Sequence, residues 1–137
     1  MLNCLIFIFI GALNMNTVFA NSLSFIAYDK LRRTNPETSA SNIKVWSVKK
    51  NDHIRINLVE FFGRLKRHIH PDAEHSLMIL EGEIMAEVAG DKFKLTKGDF
   101  LSIPQNTPHS YESISDKSVF VSMDAPYYDP NKTISME

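Results

Sequence analysis

Cysteine is almost absent: Cys4 is the only one, and it stands inside an N-terminal apolar stretch. A single cysteine excludes an internal disulfide. If that stretch is removed, no thiolate remains for catalysis or metal ligation. Charge of one sign is lacking too: 15 Lys and Arg stand against 16 Asp and Glu, with a pI near 6.5. A nucleic-acid binder would show a basic face or a strongly basic pI, so that partner class is excluded. Five Gly and six Pro are too few for a linker or low-complexity segment. No apolar run approaches the roughly 20 residues of a bilayer span. The 137 residues, 44% of them apolar, suffice for one domain with a core and not for two.

Residues 1–20 carry no charge, and Cys4 to Leu13 is a short apolar run. Its length fits the hydrophobic region of a secretory signal, and Val18-Phe19-Ala20 offers small residues before a cleavage point. The expectation is a signal peptide over 1–20, cleaved after Ala20, leaving 117 residues in the periplasm or outside the cell. The mature form would have no membrane attachment, and Cys4 stands too early to be a lipid anchor. Met1-Leu2-Asn3 lacks the usual basic residue, so a buried N-terminal element or a start at Met15 are the alternatives.

Residues 21–42 read as an arm or short helix followed by a linker, since 34–42 are Thr, Asn, Pro, Glu, Ser and Ala. Beyond them helical periodicity is hard to find. Ile43–Val48 alternates, as do Ile54, Ile56 and Leu58 with Arg55, Asn57 and Val59. Glu83–Val88 and Lys92–Thr96 flank the turn Ala89-Gly90-Asp91, and Phe100–Ile103 and Val119–Met123 are short apolar runs. Roughly eight short strands with turn signals every 8–12 residues predict an all-β sandwich or barrel.

The histidines are clustered. His68-Ile69-His70 puts two imidazoles two residues apart, so on a strand both point to one face. His75 follows a turn, Pro71-Asp72-Ala73-Glu74, and His109 comes from a distant segment. Converging imidazoles suit a divalent transition metal. His53, in Lys49-Lys50-Asn51-Asp52-His53, reads instead as a solvated loop residue.

These residues resemble the two motifs of the cupin superfamily. The first runs Gly63, four residues, His68-Ile69-His70, four residues, His75, six residues, Gly82. The second runs Gly98, five residues, Pro104-Gln105-Asn106, two residues, His109, three residues, Ser113. Fifteen residues separate Gly82 from Gly98, a gap typical of small single-domain cupins. The resemblance covers residues 43–130, leaving 131–137 as a C-terminal tail. It implies a double-stranded β-helix, or jelly-roll barrel, behind the signal peptide.

Three positions depart from the pattern. Asn106 replaces a Gly, and Asn tolerates left-handed backbone better than most residues. Ser113 replaces an Asn at a strand end. His75 occupies the position of the family's Glu ligand, with Glu74 one residue earlier. A one-residue slip turns a strand side chain to the other face, so the two cannot both point inward without a bulge. The resemblance thus implies metal ligands His68, His70, His75 and His109, with Glu74 as the competing fourth ligand. Four neutral imidazoles would leave a divalent ion (Zn, Fe, Mn, Ni or Cu) with its full charge, favouring anionic ligands.

Glu74 is the only carboxylate directly beside these ligands in sequence and is the candidate general base. Tyr111 shares parity with His109 and is either core or a hydroxyl near the site. Lys66 shares parity with His68 and is a candidate for the barrel mouth, within the charge run Arg64–Arg67. Met78, Met85 and Met123 read as packing. The resemblance implies a metal-dependent enzyme, of dioxygenase, isomerase or lyase type, on a small-molecule substrate. The alternative is a binding or sensing module whose metal is closed off by four protein ligands. An accessible cavity at the metal would discriminate the two. Pairing of exposed sheet edges makes a homodimer compatible with this fold.

Overall fold

The computed structural model describes residues 25–126 and 129–136. The expected signal peptide, its cleavage point and Cys4 lie outside the described residues. The chain divides into two units, Met1–Leu31 and Arg32–Glu137. In the first, the described residues form one helical turn, α1 (Tyr28–Leu31), in which the Lys30 and Leu31 N–H groups donate to Ala27 O.

The second unit is built from two antiparallel sheets. One sheet has the order β1-β2-β3-β10-β5-β8: β1 (Thr38–Ser39), β2 (Ile43–Lys50), β3 (Arg55–Phe61), β10 (Ser118–Ala125), β5 (Glu74–Glu81) and β8 (Phe100–Ile103). The other has the order β11-β4-β9-β6-β7: β11 (Ile134–Ser135), β4 (Arg64–Ile69), β9 (His109–Ser113), β6 (Ile84–Val88) and β7 (Asp91–Leu95). The all-β architecture expected from the strand spacing, and the jelly roll implied by the resemblance, are the fold observed. Thr38 and Ser39, expected as loop, pair with β2.

Alternation sets what each strand buries. Along β5, His75, Leu77 and Ile79 are buried while Glu74 and Met78 are exposed. Along β10, Phe120, Ser122 and Asp124 are buried with partly exposed residues between them. Val59, Phe61, Leu77, Ile79, Ile84, Ala86, Leu95, Ile103, Tyr111 and Phe120 form the core between the sheets. Phe61 and Phe120 meet edge to face, with centroids 6.3 Å apart. Met78 is a correction: it was expected to pack, and its place on the outer face of β5 leaves it exposed.

Two backbone positions carry the motif spacing. Gly82 has φ +74°, and a Cβ there would lie 2.6 Å from Lys117 O, so only hydrogen fits. Asn106 has φ +62°, the left-handed conformation in which it replaces the family's Gly. Its N–H donates to His70 O at 3.0 Å, tying the second motif to the first.

The candidate metal centre

The two sheets bring four histidines together. His68 lies near the end of β4, His70 just beyond it, and His109 opens β9 opposite His68 in register. His75 comes from β5 in the facing sheet. Ring centroids lie 4.3 Å apart for His68 and His109, 5.0 Å for His68 and His70, and 4.6 Å for His70 and His75. All four are buried. His53 is exposed in its loop, as its sequence context indicates.

The β4–β9 pairing contains a register shift. Leu65 pairs with Tyr111 but His68 pairs with His109, so β4 has one extra residue between them. This β-bulge re-phases the strand, placing Leu65 and His68 in the cavity wall despite their odd separation. The parity that linked Lys66 to His68 therefore fails as an argument. Lys66 still lines the cavity rim as an exposed side chain.

Three imidazoles have one nitrogen fixed. His68 Nδ1 is 2.8 Å from Lys66 O, His109 Nδ1 is 2.8 Å from Thr107 O, and His75 Nδ1 is 2.6 Å from Asp124 Oδ1. Each partner is an acceptor, so each Nδ1 carries the hydrogen, and in a neutral ring Nε2 keeps its lone pair. His109 Nε2 is buried and has no hydrogen-bond partner among the described residues.

Burial favours the neutral form of three of these rings, His68, His70 and His109. It pushes His70 down to about 2, helped by the neighbouring His75, His68 and His109. It pushes His109 down to about 3, helped by His68 and His75 and opposed by the Thr107 carbonyl. His68 is lowered by the same burial. Tyr111, fully buried beside these rings, is raised well above its ordinary value by burial and by Asp124. Its hydroxyl therefore stays protonated, and it has no hydrogen-bond partner among the described residues.

Neutral imidazoles with fixed Nδ1 hydrogens and a buried orphan Nε2 are a donor set that fits a divalent transition metal. One ligand atom from each of His68, His70 and His109 lies within 4.8 Å of the others. His70, His75 and Asp124 form a second such group. Asp124 already accepts the His75 hydrogen, so one of its oxygens is engaged by that ring.

Glu74 is a correction. It was the candidate base and the competing fourth ligand. On β5 it faces outward, is exposed, and accepts a short hydrogen bond from the Ser102 hydroxyl on β8. The strand alternation that turns His75 inward turns Glu74 away. The carboxylate that does reach the cluster, Asp124, was missed. Its sequence mark is its parity with Phe120 and Ser122 on an otherwise apolar strand.

A cavity of about 620 Å³ adjoins the cluster, lined by His68, His70, His75, Tyr111 and Asp124. Ile43, Val45, Val59, Leu65 and Phe120 supply apolar wall, and Arg55, Arg64 and Lys66 supply cationic groups.

The cupin domain family model matches residues 62–124. An uncharacterized protein of Aquifex aeolicus (strain VF5) is 31% identical over 103 residues, 74% of this chain and 84% of that protein. The chain belongs to the cupin family. A quercetin 2,3-dioxygenase of Bacillus subtilis (strain 168) is 34% identical over 55 residues, 40% of this cupin but only 16% of that enzyme. Among solved structures, KdgF from Halomonas sp. superposes with a TM-score of 0.70 at 20% identity, covering 78% of this chain and 96% of that one. At that identity the likeness concerns the fold alone. The family's departures also find places in the structure. Ser113 sits at the Gly82 end, bonded through its hydroxyl to Ser115 O and the Ser118 hydroxyl, and takes no part in the histidine cluster.

Proposed function

We propose that this cupin is a metal-dependent enzyme that binds a divalent transition metal through His68, His70 and His109, with His75 as fourth ligand. Its substrate is a small polar or anionic molecule held in the adjoining cavity. The observation that carries this reading is the set of three Nδ1 hydrogens engaged by Lys66 O, Thr107 O and Asp124, which turns the Nε2 atoms of a buried cluster toward a metal. A bound divalent ion supplies Lewis acidity, polarising oxygen ligands and lowering the pKa of bound water. Asp124 holds the His75 ring in one tautomer and orientation. Tyr111 offers a protonated hydroxyl to the same space, and the apolar wall limits water around the substrate.

The cavity favours an enzyme over a closed structural site, because His68, His70 and His75 all line it. The short likeness to a quercetin 2,3-dioxygenase supports oxygenase-type chemistry ahead of isomerase or lyase chemistry. The composition of residues 1–20 supports export and work outside the cytoplasm.

Elemental analysis tests the metal reading. Stoichiometric metal is expected in the wild type and in Glu74→Ala, and loss in His68→Ala, His70→Ala and His109→Ala, with weaker retention in His75→Ala. Wild type without stoichiometric metal under every loading condition would sink it. Amino-terminal sequencing of the secreted or periplasmic protein tests export, with Asn21 expected as the first residue.

A further inference from the structure

We infer that Arg55 is the residue that recognises the substrate, and that it does so by binding a carboxylate. This rests on the reading that the cavity is the substrate site, and it adds the chemical class. Arg55 opens β3, lines the cavity, and is only 8% exposed. Its single ion pair among the described residues is a loose 3.9 Å contact with Glu37 Oε2, on a side chain that is itself largely exposed. Its Nε is buried with no hydrogen-bond partner. A buried guanidinium that is paired so weakly is costly to a fold, and a planar fork of donors matches a carboxylate in two parallel bonds.

The register fixes where that carboxylate would sit. Arg55 pairs with Asp124 across β3 and β10, and Asp124 pairs with His75 across β10 and β5. Arg55 and His75 thus stand in one cross-strand row, two strand spacings or roughly 10 Å apart. Asp124 lies between them and turns to His75, accepting its Nδ1 hydrogen. One row further along, Asn57 also lines the cavity, and its Oδ1 is buried without a hydrogen-bond partner among the described residues. Val59 and Phe120 follow in the next row as apolar wall. A ligand filling this space has a carboxylate at Arg55, an apolar body along Val59 and Phe120, and a reacting end at the histidines.

Benzoate and its uncharged isostere benzamide are the probes, titrated calorimetrically into the metal-loaded protein. Benzoate is expected to bind at least tenfold more tightly than benzamide. Arg55→Gln is expected to abolish that preference, Arg55→Lys to keep only part of it, and Lys97→Gln, exposed and outside the cavity, to leave it within twofold. Equal affinities for the two probes in the wild type would overturn the inference, as would a preference that survives in Arg55→Gln. If Arg55→Gln does not fold, the wild-type ratio and Arg55→Lys still decide. Metal content measured on the same samples separates the two readings. Unchanged metal with lost benzoate preference supports the role of Arg55. A benzoate preference in wild-type protein that holds no metal would leave Arg55 standing and remove the metal.

Discussion

Asp124 accepts the Nδ1 hydrogen of His75 at 2.6 Å across paired strands, and both groups are buried. This pair decides how the fourth imidazole faces the site. Asp124→Asn keeps the shape but removes the charge and offers either a donor or an acceptor to the ring. The expected result is a folded protein with metal affinity lowered by about 10–100-fold. Competition against a chromophoric chelator measures it, and unchanged affinity would show that His75 needs no such partner.

Glu74→Gln is expected to do little. The side chain is exposed on the far face of β5, and surface changes are usually within about 0.5 kcal/mol. Metal content and turnover should both stay at wild-type levels. A large fall in turnover would return Glu74 to the mechanism.

The metal-free protein should lose stability in acid, and the sign follows from burial. His70 and His109 are held down to about 2 and about 3 in the fold, against an ordinary 6.5. Above pH 6.5 they are neutral both folded and unfolded, and neither changes stability. Below it the unfolded chain takes up protons that the folded chain refuses. Each then costs up to ~1.4 kcal/mol per pH unit until the folded value is reached. Urea midpoints of the metal-free protein should therefore fall steadily from pH 6.5 to pH 4.5. A flat midpoint would contradict the buried neutral cluster.

Gly82→Ala should destabilise by about 1–3 kcal/mol. The added methyl meets the Lys117 carbonyl at 2.6 Å on a backbone at φ +74°. Equilibrium denaturation would show this as a lower midpoint with an unchanged slope.

Tyr111→Phe separates stability from chemistry. Its hydroxyl is buried without a partner, so removing it should leave the midpoint unchanged or slightly raised. Turnover on a processed substrate should fall if that hydroxyl donates in the reaction. A stability loss of several kcal/mol would mean that the hydroxyl has a structural partner.

Much of this architecture is legible in the residues because the site is written in local spacing. His68 and His70 share a face, and His75, Leu77 and Ile79 share another, as period-two alternation requires. Asn106 adopts the left-handed backbone that its side chain tolerates. Other parts are set across strands and leave no local trace. Asp124 meets His75 only because β10 lies beside β5, 49 residues away in sequence. The alternation of Arg55, Asn57 and Val59 with Ile54, Ile56 and Leu58 does not say which set faces the cavity. The bulge in β4 is likewise invisible, since an extra residue has meaning only against the partner strand.

That bulge makes the facing of two candidate ligands a matter of counting. Closing the bulge with that residue retained would turn His68 and His70 to the outer face together, whereas deleting one residue between Leu65 and His68 would restore an unbroken ladder with both still facing the cavity. His75 and His109, on other strands, would stay where they are. The strand thus carries a phase: its odd spacing serves the candidate centre only while the bulge takes up one residue, and loss of the bulge alone would dismantle half of it while leaving every histidine in the chain.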